Sequence, residues 1–303
     1  MSTIEVDQAE AFQVQTQPAP RRRTIKRKTV NTIIWFVVLA SITAVILYPL
    51  LWLVVSSFKP SSEFGQNPGL IPDNPTINNY IKVVEGIGGI PLWRFFANSL
   101  LIALSAVVGI LISASLAAYA FARVKFKGLG ILFACMIGTM LLPIHVIIIP
   151  QYIMFQKLEL IDTYVPLILP KFLATEAFFV FLIVQFIRAL PRDMDEAARI
   201  DGCGHGRIYW SIILPLIKPA LVTASIFAFI WSWNDFLGPL LYLNSTENYP
   251  LPLALRVFND QTSTSDYGAT VAVSVLALLP ILLFFIVFQR FLVEGVSTQG
   301  LKG

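Results

Sequence analysis

Long apolar runs dominate this chain, and they leave few architectures open. A helix needs about 20 apolar residues to cross roughly 30 Å of hydrocarbon. Six such runs can be read: about Thr32–Val55, Phe95–Ala122, Leu129–Ile149, a stretch within Val165–Leu190, Ala220–Leu243 and Gly268–Gln289. Inside a bilayer only helices and closed barrels satisfy every backbone group. A barrel would show short alternating strands instead of continuous apolar runs. The runs therefore predict an all-α integral membrane protein with six transmembrane helices. Charge agrees: 13% of the 303 residues are charged, against about 25% in a soluble domain. Pro166, Pro170, Lys171 and Glu176 interrupt the fourth run. Its span proper can begin near Ala174, after a short helix lying at the interface.

Lys and Arg set the orientation. Arg21, Arg22, Arg23, Lys26, Arg27 and Lys28 precede the first run, and Arg123, Lys125 and Lys127 follow the second. Arg188, Arg192, Arg199, Arg207 and Lys218 follow the fourth, and Arg290 and Lys302 follow the sixth. The intervening loops are poorer: Lys59, Lys82 and Arg94, then Lys157, then Arg256. The positive-inside rule places both termini in the cytoplasm. The net charge of +4 is thus mainly a topology signal, and a nucleic-acid role for the Arg21–Arg23 cluster fits poorly beside a long apolar run. Residues 1–30 read as a disordered basic cytoplasmic arm. A cleaved signal peptide does not suit so long a run, with basic residues that start only after twenty others. Residues 31–94 hold the first span and a long, Pro-rich external loop, expected to be ordered but irregular, and 290–303 form a cytoplasmic tail. Cys135 and Cys203 lie too far apart to pair, and two histidines, His145 and His205, supply no metal-ligand spacing.

One polar island, Arg192–Lys218, lies between the fourth and fifth runs. Asp193 with Glu196 three residues on makes a capping-box-like helix start. Acidic residues at 193, 195 and 196 suit the positive end of a helix dipole. Met194, Ala197, Ala198, Ile200 and Asp201 continue for about two turns, and Gly202 is a natural terminator. The edge Met194, Ala197, Ile200 is small and apolar enough to enter a groove. Pro215 and Pro219 mark the return to the fifth run. On these grounds alone the short helix is either a docking element or a plain connector.

The spacing Glu196-Ala197-Ala198, then Gly202, then Ile212-x-Leu214-Pro215 resembles the EAA loop of ABC importer permeases. The resemblance extends to Ala117–Arg123 with Phe126-Lys127-Gly128, to Leu141-Leu142-Pro143 with Ile149-Pro150, and to Phe178–Leu182 with Gln185-Phe186 and Leu190-Pro191. Trp233-Asn234-Asp235-Phe236 with Pro239-Leu240 resembles the carbohydrate importers, and Val293–Val296 with Gly300–Gly303 resembles the tail of MalG-like subunits. The match spans about residues 30–303. It implies a type I importer permease fold, with the permease domain over 95–289. It also implies a subunit of a bacterial inner-membrane system that moves a carbohydrate by alternating access. The implied partners are a MalF-like second permease, an ATPase dimer and a periplasmic sugar-binding protein, beside membrane lipid. A polyol, sugar sulfonate or glycerol phosphate are alternative cargoes within the same pattern. An ion-coupled secondary transporter would show midplane ion pairs and inverted repeats, neither of which is evident.

The chain itself carries no phosphate-binding loop: Gly202-x-Gly204-x-Gly206 lacks the following Lys-Ser/Thr. It is expected to be non-catalytic and to bind no cofactor, ATP and Mg belonging to the partner ATPase. The ATPase-coupling set implied by the resemblance is Asp193, Met194, Glu196, Ala197, Ala198, Ile200, Asp201 and Gly202. Trp231, Trp233, Asn234 and Asp235 are candidates for the translocation path, since a charge at a helix centre costs on the order of 2.5–3.5 kcal/mol and the indoles could stack on sugar rings. These four could equally hold helices together. Lys171 and Glu176 are expected to pair locally or sit at the interface. His145 reads as a helix-end residue. Phe178, Phe179, Phe181 and Phe186 read as packing or lipid-facing groups.

Overall fold

The computed structural model describes residues 24–66, 69–86, 88–261 and 266–297. The polar arm 1–20 and the last six residues lie outside them, as does most of the polar run 261–266. Two compact units are present, Met1–Leu51 and Trp52–Gly303. Helix α1, Thr24–Ser56, contains Pro49 and runs past Leu51 into the second unit. Then come α2 Asn78–Glu85, α3 Leu92–Arg123, α4 Leu129–Thr139, α5 Ile144–Lys157, α6 Val165–Ile168 and α7 Ala177–Ala189. They are followed by α8 Asp193–Ile200, α9 His205–Ile208, α10 Leu214–Leu216, α11 Lys218–Trp233, α12 Leu237–Tyr242, α13 Leu251–Gln261 and α14 Tyr267–Ser297. No strand occurs among the described residues.

Four stretches are long and apolar enough to cross a membrane: Val30–Ser56, Leu92–Arg123, Val165–Ala189 and Tyr267–Gln289. Two more candidates are bent. Leu129–Thr139 and Ile144–Lys157 meet at 99°, and His205–Leu216 and Lys218–Trp233 at 75°. The third run is therefore not the single span Leu129–Ile149 expected from its hydropathy. Pro143 has no N–H to donate and is itself extended, at φ −61° and ψ 135°, so α4 stops and α5 restarts in a new direction. The fifth run likewise ends at Trp233 rather than Leu243, and the chain resumes as the separate α12. The helix containing α9 and α10 passes through a π turn, Tyr209–Ile213. That turn lies just ahead of Pro215, which cannot donate the regular bond to the preceding turn. The fourth run behaves as its prolines predict: α6 and a 3-10 turn, Leu169–Leu173, precede a left-handed Ala174 and then α7.

Helix α3 is the centre of the second unit, packed on α7 and α11, with α11 in turn packed on α14. Lipid offers no hydrophobic drive between helices, so small residues that let backbones approach carry such interfaces. Ala103, Ala106, Ala114, Ala118 and Ala122 line the buried face of α3, and Ala220, Ala224 and Ala228 repeat every four residues along α11. Leu100, Leu104, Val108, Ile112 and Leu116 form the opposite, exposed stripe of α3. At Gly109 the ring of Phe172 would lie 2.6 Å from an added Cβ.

The loop 59–91 is more regular than its prolines suggest, because it contains α2. Asn79 of that helix donates to the carbonyls of Ser57 (2.7 Å) and Lys59 (2.8 Å). Gly268 at the start of α14 lies against the Asn79 amide, which would sit 2.5 Å from a Cβ there. Lys82 pairs with Asp266 at 2.7 Å. The loop 244–267 also holds a helix, α13, and α5 carries the helix on to Lys157, inside what hydropathy marks as loop.

Asp162 joins two of these connections. Its backbone is left-handed, and its carboxylate accepts from the amides of Asn244 and Ser245, both at 2.9 Å, and from the Ser245 hydroxyl. The Ser245 hydroxyl and amide bonds hold the carboxyl at about 2, below the usual 3.8. A depressed carboxyl stabilises above its unfolded pKa and is lost as pH falls through the folded one. Protection of the Asn244 and Ser245 amides against hydrogen exchange, relative to their intrinsic rates, should therefore be high above about pH 4 and fall toward pH 2. The Asp162→Gly variant, which suits the left-handed backbone but offers no side-chain acceptor, should show low protection at every pH, and high protection in that variant would refute the clamp.

Candidate functional site

The polar island folds as a short helix fixed to the end of α3. Asp193, Asp195 and Glu196 occupy the first turn of α8, where the helix dipole favours them. The capping box is not formed. The cap position is Arg192, one residue earlier, without a side-chain cap bond, and its carbonyl accepts the amides of Asp195 (2.9 Å) and Glu196 (3.1 Å). Beginning one residue early places Asp193 inside the helix, where its side chain cannot reach back as a cap. Asp201 ends the helix and Gly202 follows at φ +80°.

The two faces of α8 differ sharply. Asp195 and Ala198 are buried, and Met194 is half-buried. Asp193, Glu196, Ala197 and Ile200 are exposed, with Ile200 at 87%. The apolar edge read from the sequence thus splits: Ala197 and Ile200 are free, whereas Met194 is partly covered and Ala198 turns inward.

What covers the inner face is an ion pair. Arg123, the last residue of α3, sets its Nε 3.0 Å from Asp195 Oδ2, with the two side chains 2% and 7% exposed. Its Nη2 donates to the Leu190 carbonyl at 2.9 Å, so one guanidinium holds the end of α7 and the start of α8 together. Polar contacts continue along α3 one turn at a time. Tyr119 Oη lies 3.2 Å from His205 Nδ1, and Ser115 Oγ 2.8 Å from Tyr209 Oη. Arg123 read in sequence as a topology charge and as the end of the Ala117–Arg123 pattern, and nothing in its spacing announced Asp195 as its partner.

A second site lies where three chain breaks converge. The turn between α4 and α5, the turn before α7 and the turn between α11 and α12 border two adjoining recesses of about 210 and 540 Å³. Lys171, Glu176, Trp231 and Asp235 line both. Lys171 Nζ pairs with Glu176 Oε1, as local pairing predicted, while the Lys171 carbonyl accepts from Ser113 of α3 at 2.8 Å. Asp235 accepts the Gly238 amide at 3.1 Å in the first turn of α12. Trp231 is 47% exposed and braced by Phe178 and Phe179 at ring distances of 5.0 and 5.2 Å.

Of the four candidates for the path, two border these recesses and two do not. Trp233 is 2% exposed. It stacks on Phe229, and its Nε1 donates to the Ala277 carbonyl of α14 at 3.2 Å. It is a core residue because it sits two positions from Trp231, on the opposite side of a 3.6-residue turn. Asn234 is exposed and closes α11 by donating to the Ile230 carbonyl at 2.8 Å. His145 is exposed in the first turn of α5, in keeping with a helix-end residue. Among the described residues no cluster of His, Cys, Asp or Glu could hold a metal.

The family model for the binding-protein-dependent transport system inner membrane component matches residues 109–298. The chain belongs to this family. The matched region of the permease includes the last four turns of α3, α8 and all of the residues lining the two recesses except Ile102. An arabinooligosaccharide transport system permease protein of Halalkalibacterium halodurans is 34% identical over 284 residues, covering 92% of this chain and all of the relative. A diacetylchitobiose uptake system permease protein of Streptomyces coelicolor is 30% identical over 259 residues, 85% of this chain and 84% of its own. The permease also shares its fold with a chain of a bacterial ABC transporter involved in import of the acidic polysaccharide alginate. There the TM-score is 0.73 at 23% identity, over 90% of this chain and 99% of that one.

Proposed function

We propose that this permease is the MalG-like subunit of an ATP-driven importer that carries a carbohydrate across the bacterial inner membrane by alternating access. The observation that carries this reading is α8, a two-turn helix with a free face at Ala197 and Ile200 and an inner face fixed to α3 through Arg123. Such a helix can receive motion from a soluble partner and pass it to the core of the bundle. The arabinooligosaccharide and diacetylchitobiose relatives support carbohydrate as the cargo. In this reading the two bent pairs each count as one span, giving six, with both termini and α8 in the cytoplasm as the Lys and Arg distribution requires. The permease domain occupies 95–289. A second permease, an ATPase dimer and an external binding protein complete the complex, and ATP with Mg belongs to the ATPase. The permease catalyses no bond change itself.

The test is crosslinking combined with uptake. Ala197→Cys, on the free face, should crosslink to the ATPase subunit, and Ala198→Cys, on the buried face, should not. Vesicles bearing the complete complex should accumulate labelled saccharide only with ATP inside. Uptake that persists on an ion gradient after removal of the ATPase would reject the reading.

A further inference from the structure

We infer that this subunit itself contacts the cargo, through Asp235 and Trp231, and that the contact selects a neutral polyhydroxylated ring over an acidic one. The inference rests on the importer reading. Three interrupted helices enclose the recesses, and breaks of this kind expose backbone polar groups that only a polar-lined cavity tolerates. The larger recess, about 540 Å³, lies within the range of small-molecule sites.

The lining is amphipathic in the way a sugar ring is. Trp231 offers a large apolar face held by Phe178 and Phe179, suited to the C–H face of a pyranose or furanose. Asp235, Glu176 and Lys171 offer acceptors and donors suited to its hydroxyls. Lys171 is matched by Glu176, which leaves no unmatched cation for an anionic ligand, and Asp235 adds only a further carboxyl group. The positive end of α12 cannot serve an anionic ligand either, because Asp235 already accepts its Gly238 amide. A uronate, sulfonate or phosphate brought here would shed its hydration without gaining a counter-charge, and a cost of that kind is how sites reject the wrong ligand.

The experiment uses the complete complex in nanodiscs. This chain carries Thr139→Cys, at the rim of the larger recess, as a reporter, with Cys135→Ser and Cys203→Ser. The rate of its modification by a small charged thiol reagent is measured with arabinotriose, diacetylchitobiose and galactobiose as neutral probes and digalacturonate as the acidic one. A neutral probe is expected to slow modification and digalacturonate to leave it unchanged. Asp235→Asn keeps an acceptor for the Gly238 amide, so the turn persists, and it should raise the half-protecting concentration of that neutral probe roughly tenfold. Equal protection by neutral and acidic probes, no protection by any, or protection unaltered by Asp235→Asn would overturn the inference. Saccharide uptake by the same complex is scored separately. Its absence sinks the importer reading, whereas uptake without protection sinks only the cargo contact.

Discussion

Replacing Arg123 by Met is expected to destabilise the permease by about 3–5 kcal/mol, the usual result of removing one partner of a buried ion pair. The cost arises because the Asp195 side chain, 7% exposed, would lose the guanidinium 3.0 Å from it, with Arg192 and Arg199 of the same recess left to screen it only in part. The Leu190 carbonyl would lose its donor as well. Replacing both partners, Arg123→Met with Asp195→Leu, should recover most of the loss, since well-packed apolar pairs commonly match a buried ion pair in stability. Uptake should not recover with it, because the directional link between α3 and α8 is gone. Unfolding of the detergent-solubilised complex followed by fluorescence gives the first quantity, and vesicle uptake the second. A single variant within about 1 kcal/mol of the parent would mean that the pair is solvated and structurally idle.

Gly202→Val is expected to separate ATP turnover from uptake while leaving insertion intact. At φ +80° a β-branched residue is strained, by roughly 1–2 kcal/mol. Nothing stands within 4 Å of the position a Cβ would take, so the effect is conformational, not steric. Relief of the strain requires the chain to leave α8 in another direction, which turns the free face at Ala197 and Ile200. Gly204 is an internal control, because it is extended (φ −75°, ψ 167°) and equally open. Gly204→Val should transport nearly as the parent does. If the two valine variants behave alike, the left-handed turn is not what positions α8.

The short helix and its glycine exit were legible because both follow local rules: acidic residues at one end, a left-handed glycine at the other. The long helices were legible for the same reason, since an apolar run of sufficient length has one solution in lipid. The bends were not. Hydropathy averages over a window, so Pro143 and the Asn234-Asp235 pair disappear into the apolar runs that surround them. Yet those interruptions create both recesses. The burial of Trp233 and exposure of Trp231 likewise depended on the rotation of α11 against α14, which a helix that is apolar all round does not encode. Arg123 with Asp195, 72 residues apart, and Asp235 beside the Lys171–Glu176 pair are long-range partnerships that no periodicity could reveal. Asp193 and Glu196 show the converse: a motif present in sequence whose bond is not made once the helix starts a residue early.

Helix α3 is held at both ends. Near its start, Asn98 donates to the carbonyls of Glu247 (2.8 Å) and Tyr249 (3.0 Å), and Ser99 Oγ accepts the Leu251 amide at 2.7 Å. At its last residue Arg123 grips Asp195. The helix between has no proline and no break, so about 38 Å of rod, at 1.5 Å per residue, separates two fastenings. A displacement at α8 thus has a continuous hydrogen-bonded path to the segment 247–251, and the reverse is equally true. The two ends of the bundle share one lever, so a change at either end is felt first along α3.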